Sequence, residues 1–266
     1  MSMFDSLTHV ALFVLIPVIL IYVIHPLTQK GVPLHRVGRQ FSLFNPADLA
    51  PDVAPFFYQN ERAIASLGFE IIGYLTRVDA SGMSTSCQIY MVNRATMERA
   101  TVVGVYGIMD GQVRLRSHYF EFTTKFVDGS TISTNNLHSS GVFKTVAKYR
   151  TARLTMVGDP VSLYDVHKYH VAKYIDGRQK YLPPPGQEIE AYEQSLLDVW
   201  NAQVESGLAT FDPQSQTFGR TWYGTYYMVW CQLWPMKQIR LAQRRAYAEN
   251  LLKECEADRR RMATVA

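Results

Sequence analysis

The sequence predicts an α+β fold. It should comprise a single N-terminal transmembrane helix, an antiparallel β-meander of about five strands packed by helices, and a basic C-terminal helix. Three observations carry that prediction. An uncharged apolar run opens the chain, five β-rich segments joined by Asp-Gly-type turns fill 69–135, and helical spacing governs most of the chain beyond residue 158.

The run from Leu7 to Ile24 reads LTHVALFVLIPVILIYVI, and from Val10 onward its only polar side-chain group is the Tyr22 hydroxyl. At about 1.5 Å per residue it covers roughly 27 Å, close to the hydrocarbon thickness of a bilayer. Val10, Leu12, Phe13, Leu15, Ile16, Ile19, Leu20 and Ile24 form the expected anchor, kinked at Pro17. A secretory signal is disfavoured, because no Lys or Arg precedes the run and His25-Pro26-Leu27-Thr28 is a poor cleavage site. Apolarity on all sides disfavours a buried globular helix. Lys30, Arg36 and Arg39 come just after the run, so the positive-inside rule places the domain of this single-pass membrane protein in the cytoplasm.

Residues 29–54 read as a linker broken by Pro33, Pro46 and Pro51, and residues 1–28 as the anchor. The α+β domain is expected over 55–210. It opens with a short helix, PFFYQNERAIASL, that has proline at its first position and Gly68 beyond its end. Strands are expected at 69–78, 84–93, 99–108, 112–127 and 130–135. Asp110-Gly111 and Asp128-Gly129 supply the positive φ that hairpin turns need. In the fourth strand the apolar phase switches from Val113/Leu115 to Phe120/Phe122/Phe126, which predicts a bulge near His118–Tyr119. Asp159-Pro160 caps a helix carrying Val161, Tyr164, Val171 and Tyr174 and stopped by Asp176-Gly177. Past Pro183-Pro184-Pro185-Gly186, a second helix aligns Ile189, Tyr192, Leu196, Val199 and Trp200. Residues 211–266 form an aromatic and basic helical segment. Its last helix runs from about Met236 to Arg261, with Tyr247, Leu251 and Cys255 on one stripe.

Composition sets limits on function. Apolar residues make up 47% and charged residues 19%, which is usual for a folded chain. Met236–Arg261 holds eight Lys or Arg against four Asp or Glu, an excess equal to the whole-chain +4. The upstream chain is therefore neutral on balance, and a nucleic-acid partner is not implied. Cys87, Cys231 and Cys255 are scattered and in no CxxC arrangement, so free thiols are expected rather than a disulfide framework or a zinc site.

No catalytic motif, nucleophile elbow or phosphate loop is present, and no cofactor is implied. Two polar groupings merit comparison with their structural alternatives. Thr134, Asn135 and His138 lie in a cluster at a strand end that suits either a ligand or turn closure. His167 and His170 stand three apart on a helix, whereas a helical metal pair favours a spacing of four and needs a further ligand. His167 shares the Tyr164/Val171 stripe, so a satisfied interface histidine is the better reading.

The aromatic segment 222–236 reads two ways. Trp222, Trp230 and Trp234, with Lys237, Arg240, Arg244 and Arg245 just beyond them, suit a membrane interface with anionic lipid headgroups. The same aromatics would equally serve a core. The lipid bilayer is the expected partner, with anionic lipid or a membrane protein as additional ones. Two functions fit. One is a membrane-anchored binding or scaffold module. The other is a membrane-associated enzyme or carrier holding an apolar or lipid-derived ligand between sheet and helices. A pocket at that interface with convergent titratable groups would favour the second.

Overall fold

The computed structural model describes residues 13, 15–38, 41–79, 82, 84–109, 112–139, 141–144 and 146–265. The chain is α+β, with two sheets in which antiparallel pairing dominates. Strand β1 (His35–Arg36) pairs with β11 (Thr217–Arg220), which hairpins with β10 (Ala209–Asp212). The larger sheet runs in the spatial order β2 (Ser42–Leu43), β3 (Glu70–Val78), β4 (Ser84–Asn93), β5 (Glu98–Met109), β6 (Gln112–Phe126), β7 (Thr131–Asn135) and β8 (Tyr149–Arg153). Strand β9 (Lys180–Tyr181) pairs with the end of β6.

Four consecutive hairpins, β3 to β7, form the meander that the turn chemistry predicts. Gly129 takes φ +77° between β6 and β7, while Asp110 and Gly111 lie outside the described residues. The bulge falls on β6 at Arg116, because Val105 pairs with Ser117 and Tyr106 with Leu115. That is two residues before the expected place, and it produces the phase switch the sequence shows. The chain then crosses over to lay β8 parallel to β7, a step without a turn signature.

Successive side chains of a strand face opposite ways. Phe120, Phe122, Ile89, Met91 and Val102 point to one face and are fully buried against α1 (Ala54–Ala65) and α2 (Pro160–Tyr174). Asp159 caps α2 by accepting from the Ser162 amide at 2.7 Å, and Pro160 occupies the first turn, where no amide donor is needed. Helix α3 (Glu188–Glu205) lies over the other face, α4 (Trp222–Trp230) comes after the small sheet, and α5 (Met236–Val265) packs Ala248, Leu251 and Cys255 into the main core. Arg259–Asp165 at 2.6 Å and Lys173–Glu254 tie α5 to α2. All three cysteines are free thiols.

The N-terminal apolar run is helical over 15–19, π-helical over Leu20–Ile24 and α-helical over His25–Gln29. Val10 and Leu12 lie outside the described residues. A proline disturbs the turn that precedes it, so Pro17 does not account for the π stretch beyond it. Among the described residues, no helix is long and apolar enough to cross a membrane. Leu15, Ile16, Ile19, Leu20 and Ile24 on this helix are nonetheless 42–53% exposed.

Candidate functional site

A partly open cavity of about 940 Å³ lies between the larger sheet, α3, the 143–149 segment and the start of α5. Its floor is the second face of the strands whose first face makes the core. On β6, Tyr119, Glu121, Thr123 and Lys125 face the cavity while Phe120, Phe122 and Phe126 face the core. Arg99 and Thr101 on β5, Gln88 and Tyr90 on β4, Ser133 on β7 and Arg153 on β8 complete the floor. The walls carry eight Lys or Arg against three Asp or Glu, so the enclosed space is strongly electropositive.

One end of the cavity is aromatic. The Tyr192 ring stacks between Tyr90 at 4.8 Å and Phe41 at 5.0 Å, and its hydroxyl donates to Gln88 Oε1 at 3.2 Å. The Arg99 guanidinium lies 6.0 Å from the centre of that ring and donates to Ser195 Oγ at 3.5 Å. Lys125 reaches Ser195 Oγ at 3.1 Å and Asp198 at 3.4 Å. Arg77 is held by His35 Nδ1 at 3.0 Å. Burial, and then Arg77, push the His35 pKa down to about 4.

The other end is a group of arginines. Arg153 and Arg244 both donate to the Ser139 carbonyl, at 2.5 and 3.2 Å. Arg240 donates to the Phe143 carbonyl at 3.1 Å, the Tyr227 hydroxyl at 2.9 Å and Cys231 Sγ at 3.1 Å. The loop supplying those carbonyls passes so close that a Cβ on Gly141, at φ +59°, would stand 2.8 Å from Arg244 and 3.2 Å from Arg153. Burial, then Arg153 and Arg240, push the Arg244 pKa down to about 10. Between the two ends, Glu121 is pushed above the carboxylate range by burial, against the pull of Ser133, Arg153 and Arg99. Burial and then Glu121 raise the phenols of Tyr119 and Tyr192.

The residues singled out from sequence divide among three places. Thr134, His167 and His170 meet inside the core. Thr124 Oγ1 bonds His167 Nε2 at 3.0 Å, Thr134 Oγ1 bonds His167 Nδ1 at 3.0 Å and His170 Nδ1 at 3.1 Å, and His170 Nε2 bonds the Tyr247 hydroxyl at 3.0 Å. Two neutral imidazoles satisfy the whole chain, and burial pushes both pKa values to about 3. Among the described residues, no group of three or more His, Cys, Asp or Glu is placed to hold a metal. Asn135 is buried and accepts from the Leu137 amide at 3.3 Å.

His138 lies elsewhere, in a smaller cavity of about 420 Å³ with Lys237, Arg244 and Arg245. Arg153 and Arg244 line both cavities. Trp222, Trp230 and Trp234 are 59, 45 and 72% exposed and sit beside the N-terminal helix. Trp230 Nε1 donates to the Tyr22 carbonyl at 3.0 Å, the Tyr22 hydroxyl to the Trp234 carbonyl, and Lys30 stands 5.5 Å over Trp222. Arg245 is exposed and pairs with Glu249 at 2.8 Å, whereas Arg240 and Arg244 turn inward.

Sequence reasoning missed Arg77, Arg99, Glu121, Arg153 and Tyr192 as site residues. A signal existed in the fourth strand, whose Tyr119/Glu121/Thr123/Lys125 face is polar although an apolar-striped helix is available to cover it. Comparison with protein-family models, curated proteins and solved structures finds no match to this chain.

Proposed function

We propose that this protein is a membrane-anchored binding protein or carrier whose sheet–helix cavity takes an anionic ligand with an aromatic or apolar part. The observation that carries this reading is the cavity's lining of eight cations against three carboxylates, beside the Tyr90–Tyr192–Phe41 stack. An open cavity with convergent titratable groups favours ligand binding over a purely structural role. No reaction type is assigned.

The anchor part of the proposal draws on the N-terminal helix, whose apolar side chains are exposed around its circumference and would be unfavourable in water. At its C-terminal end, exposed Trp222, Trp230 and Trp234 form a collar of the residue types that favour the bilayer interface. Lys30, Arg36 and Arg39 favour a cytoplasmic domain.

Two measurements test the proposal on the full chain. Replacing Leu15 and Ile19 by Arg should release the protein from carbonate-washed membranes, because each mid-span charge costs about 3 kcal/mol. In nanodiscs, 2-naphthoate should bind saturably and naphthylmethylammonium should not, with Arg99→Gln plus Lys125→Gln weakening naphthoate at least fivefold. Equal binding of the cation, or no binding of the anion, would overturn the ligand assignment.

A further inference from the structure

Resting on the cavity reading above, we infer that Arg153, Arg240 and Arg244 form a receptor for a phosphoryl group, which fixes one end of the ligand. The three guanidiniums arrive from β8 and from positions i and i+4 of α5, and they converge beside the 139–143 loop. Like charges at that helical spacing repel one another, and their half-buried setting leaves less water to screen them. Among the described residues none of the three makes an ion pair with a carboxylate. Their partners are two main-chain carbonyls, one phenol and one thiol. Arg240 Nε is buried with no hydrogen-bond partner among the described residues. Glu121 attracts Arg153, and burial pushes the Glu121 pKa up.

An anion that accepts several N–H bonds at once would resolve this arrangement. Guanidinium forks match phosphate oxygens two at a time, and a phosphate monoester carries about −1.5 to −2 charge at neutral pH, against −1 for a carboxylate. The carbonyls of Ser139 and Phe143 hold the forks in place before any ligand arrives, so little side-chain ordering is left to the binding step. Arg240 also hydrogen-bonds Tyr227 and Cys231, which flank the exposed Trp230 of the collar. The receptor therefore lies next to the surface assigned to the bilayer. A phosphorylated headgroup and a free phosphate monoester share the required chemistry.

The test uses the full chain in phosphatidylcholine nanodiscs, with four probes: phenyl phosphate, benzoate, dihexanoyl phosphatidic acid and dihexanoyl phosphatidylcholine. Phenyl phosphate should bind at least tenfold more tightly than benzoate and raise the melting temperature. Arg244→Gln and Arg153→Gln should each weaken phenyl phosphate at least tenfold and benzoate by a clearly smaller factor, because benzoate loses one lining charge and no phosphoryl fork. Arg244→Lys keeps the charge and loses the fork, and should fall between. Phosphatidic acid tighter than phenyl phosphate would assign the headgroup as the source; equal affinity would assign a soluble monoester.

If these arginines only brace the 139–143 loop, the variants lower the melting temperature of the empty protein and phenyl phosphate has no preference over benzoate. That result overturns the receptor and leaves the cavity reading standing if naphthoate still binds. Binding of phosphatidylcholine equal to phosphatidic acid also overturns it. Failure of every anion, naphthoate included, removes the cavity reading as well.

Discussion

The two faces of the larger sheet are built from the same strands and both are covered by helices, yet they have different physics. On the core face Phe122 is fully buried, with its ring 4.9 Å from Tyr164 and 5.6 Å from Phe69. One residue along, Thr123 faces an open cavity, with its hydroxyl shared between Ser133 at 3.2 Å and Glu121 at 3.5 Å. Covering a face is therefore different from packing it. Helix α3 packs Ile189, Tyr192 and Leu196 against Phe41, Leu75, Tyr90 and Val92 at one end of this face. Over the rest it leaves arginines and a carboxyl around an unfilled space, where nothing is stabilised by apolar burial. A polar face retained under a helix is better understood as a site than as part of the core.

The largest expected effect tests that contrast directly. Phe122→Ala should cost about 3–5 kcal/mol, since it leaves a cavity among Phe69, Tyr164 and His167. Thr123→Ala, its neighbour, should stay within about 0.5 kcal/mol. Urea titration of both variants checks the pair. Comparable losses would mean that the cavity face is packed after all.

A smaller effect comes from the titratable groups of the core face. His167 and His170 are fully buried and held near pKa 3, against about 6.5 in an unfolded chain. A depressed histidine leaves the unfolded state binding more protons, so its contribution is complete above pH 6.5 and fades as pH falls toward 3. The slope is about 1.4 kcal/mol per pH unit for each histidine, or about 2 kcal/mol apiece between pH 6.5 and 5. Melting temperature should therefore fall over that interval, and less steeply in His167→Gln. A wild-type melting temperature that is flat from pH 7 to 5 would contradict the neutral chain from Thr124 to Tyr247.

The contrast between the faces also separates the legible parts of the sequence from the illegible ones. Strand positions were legible because Asp128-Gly129 and the alternation of β-branched residues act locally; so was the phase switch on β6, and so was the Asp159-Pro160 cap. The parallel β8, the two-residue β1 and the β10–β11 hairpin were not, since their pairing depends on distant partners such as His35 with Phe218. The candidate site was the least legible part. Arg77, Arg99, Arg153 and Arg244 are separated by as many as 167 positions; the first three look like ordinary surface cations, and Arg244 reads as a membrane-interface cation. Only the crossover to β8 and the return of α5 bring Arg153 beside Arg244. His167 was legible as an interface group because it shares the Tyr164 stripe, whereas Thr134 and Asn135 read as turn or ligand residues, and His138 sits on a loop whose path no periodicity sets.

The smallest expected effect runs opposite to the histidines. Burial raises the Glu121 carboxyl above its usual 4.5, so the folded state binds the extra proton. That contribution favours folding at acid pH and fades as pH rises from about 4.5 through the folded pKa, where it partly cancels one histidine's share. Glu121 touches cavity solvent and is attracted by Arg153 and Arg99, so the net effect should fall well short of the full burial penalty. Glu121→Gln preserves shape and removes the titration. The variant should gain on the wild type as pH rises from 5 to 7, and its melting temperature should show a steeper acid decline because the histidines then act unopposed. Parallel wild-type and Glu121→Gln profiles would place a fully ionised carboxylate on the cavity floor. The arginine end would then be neutralised from within, and the demand for an external anion would lose its basis.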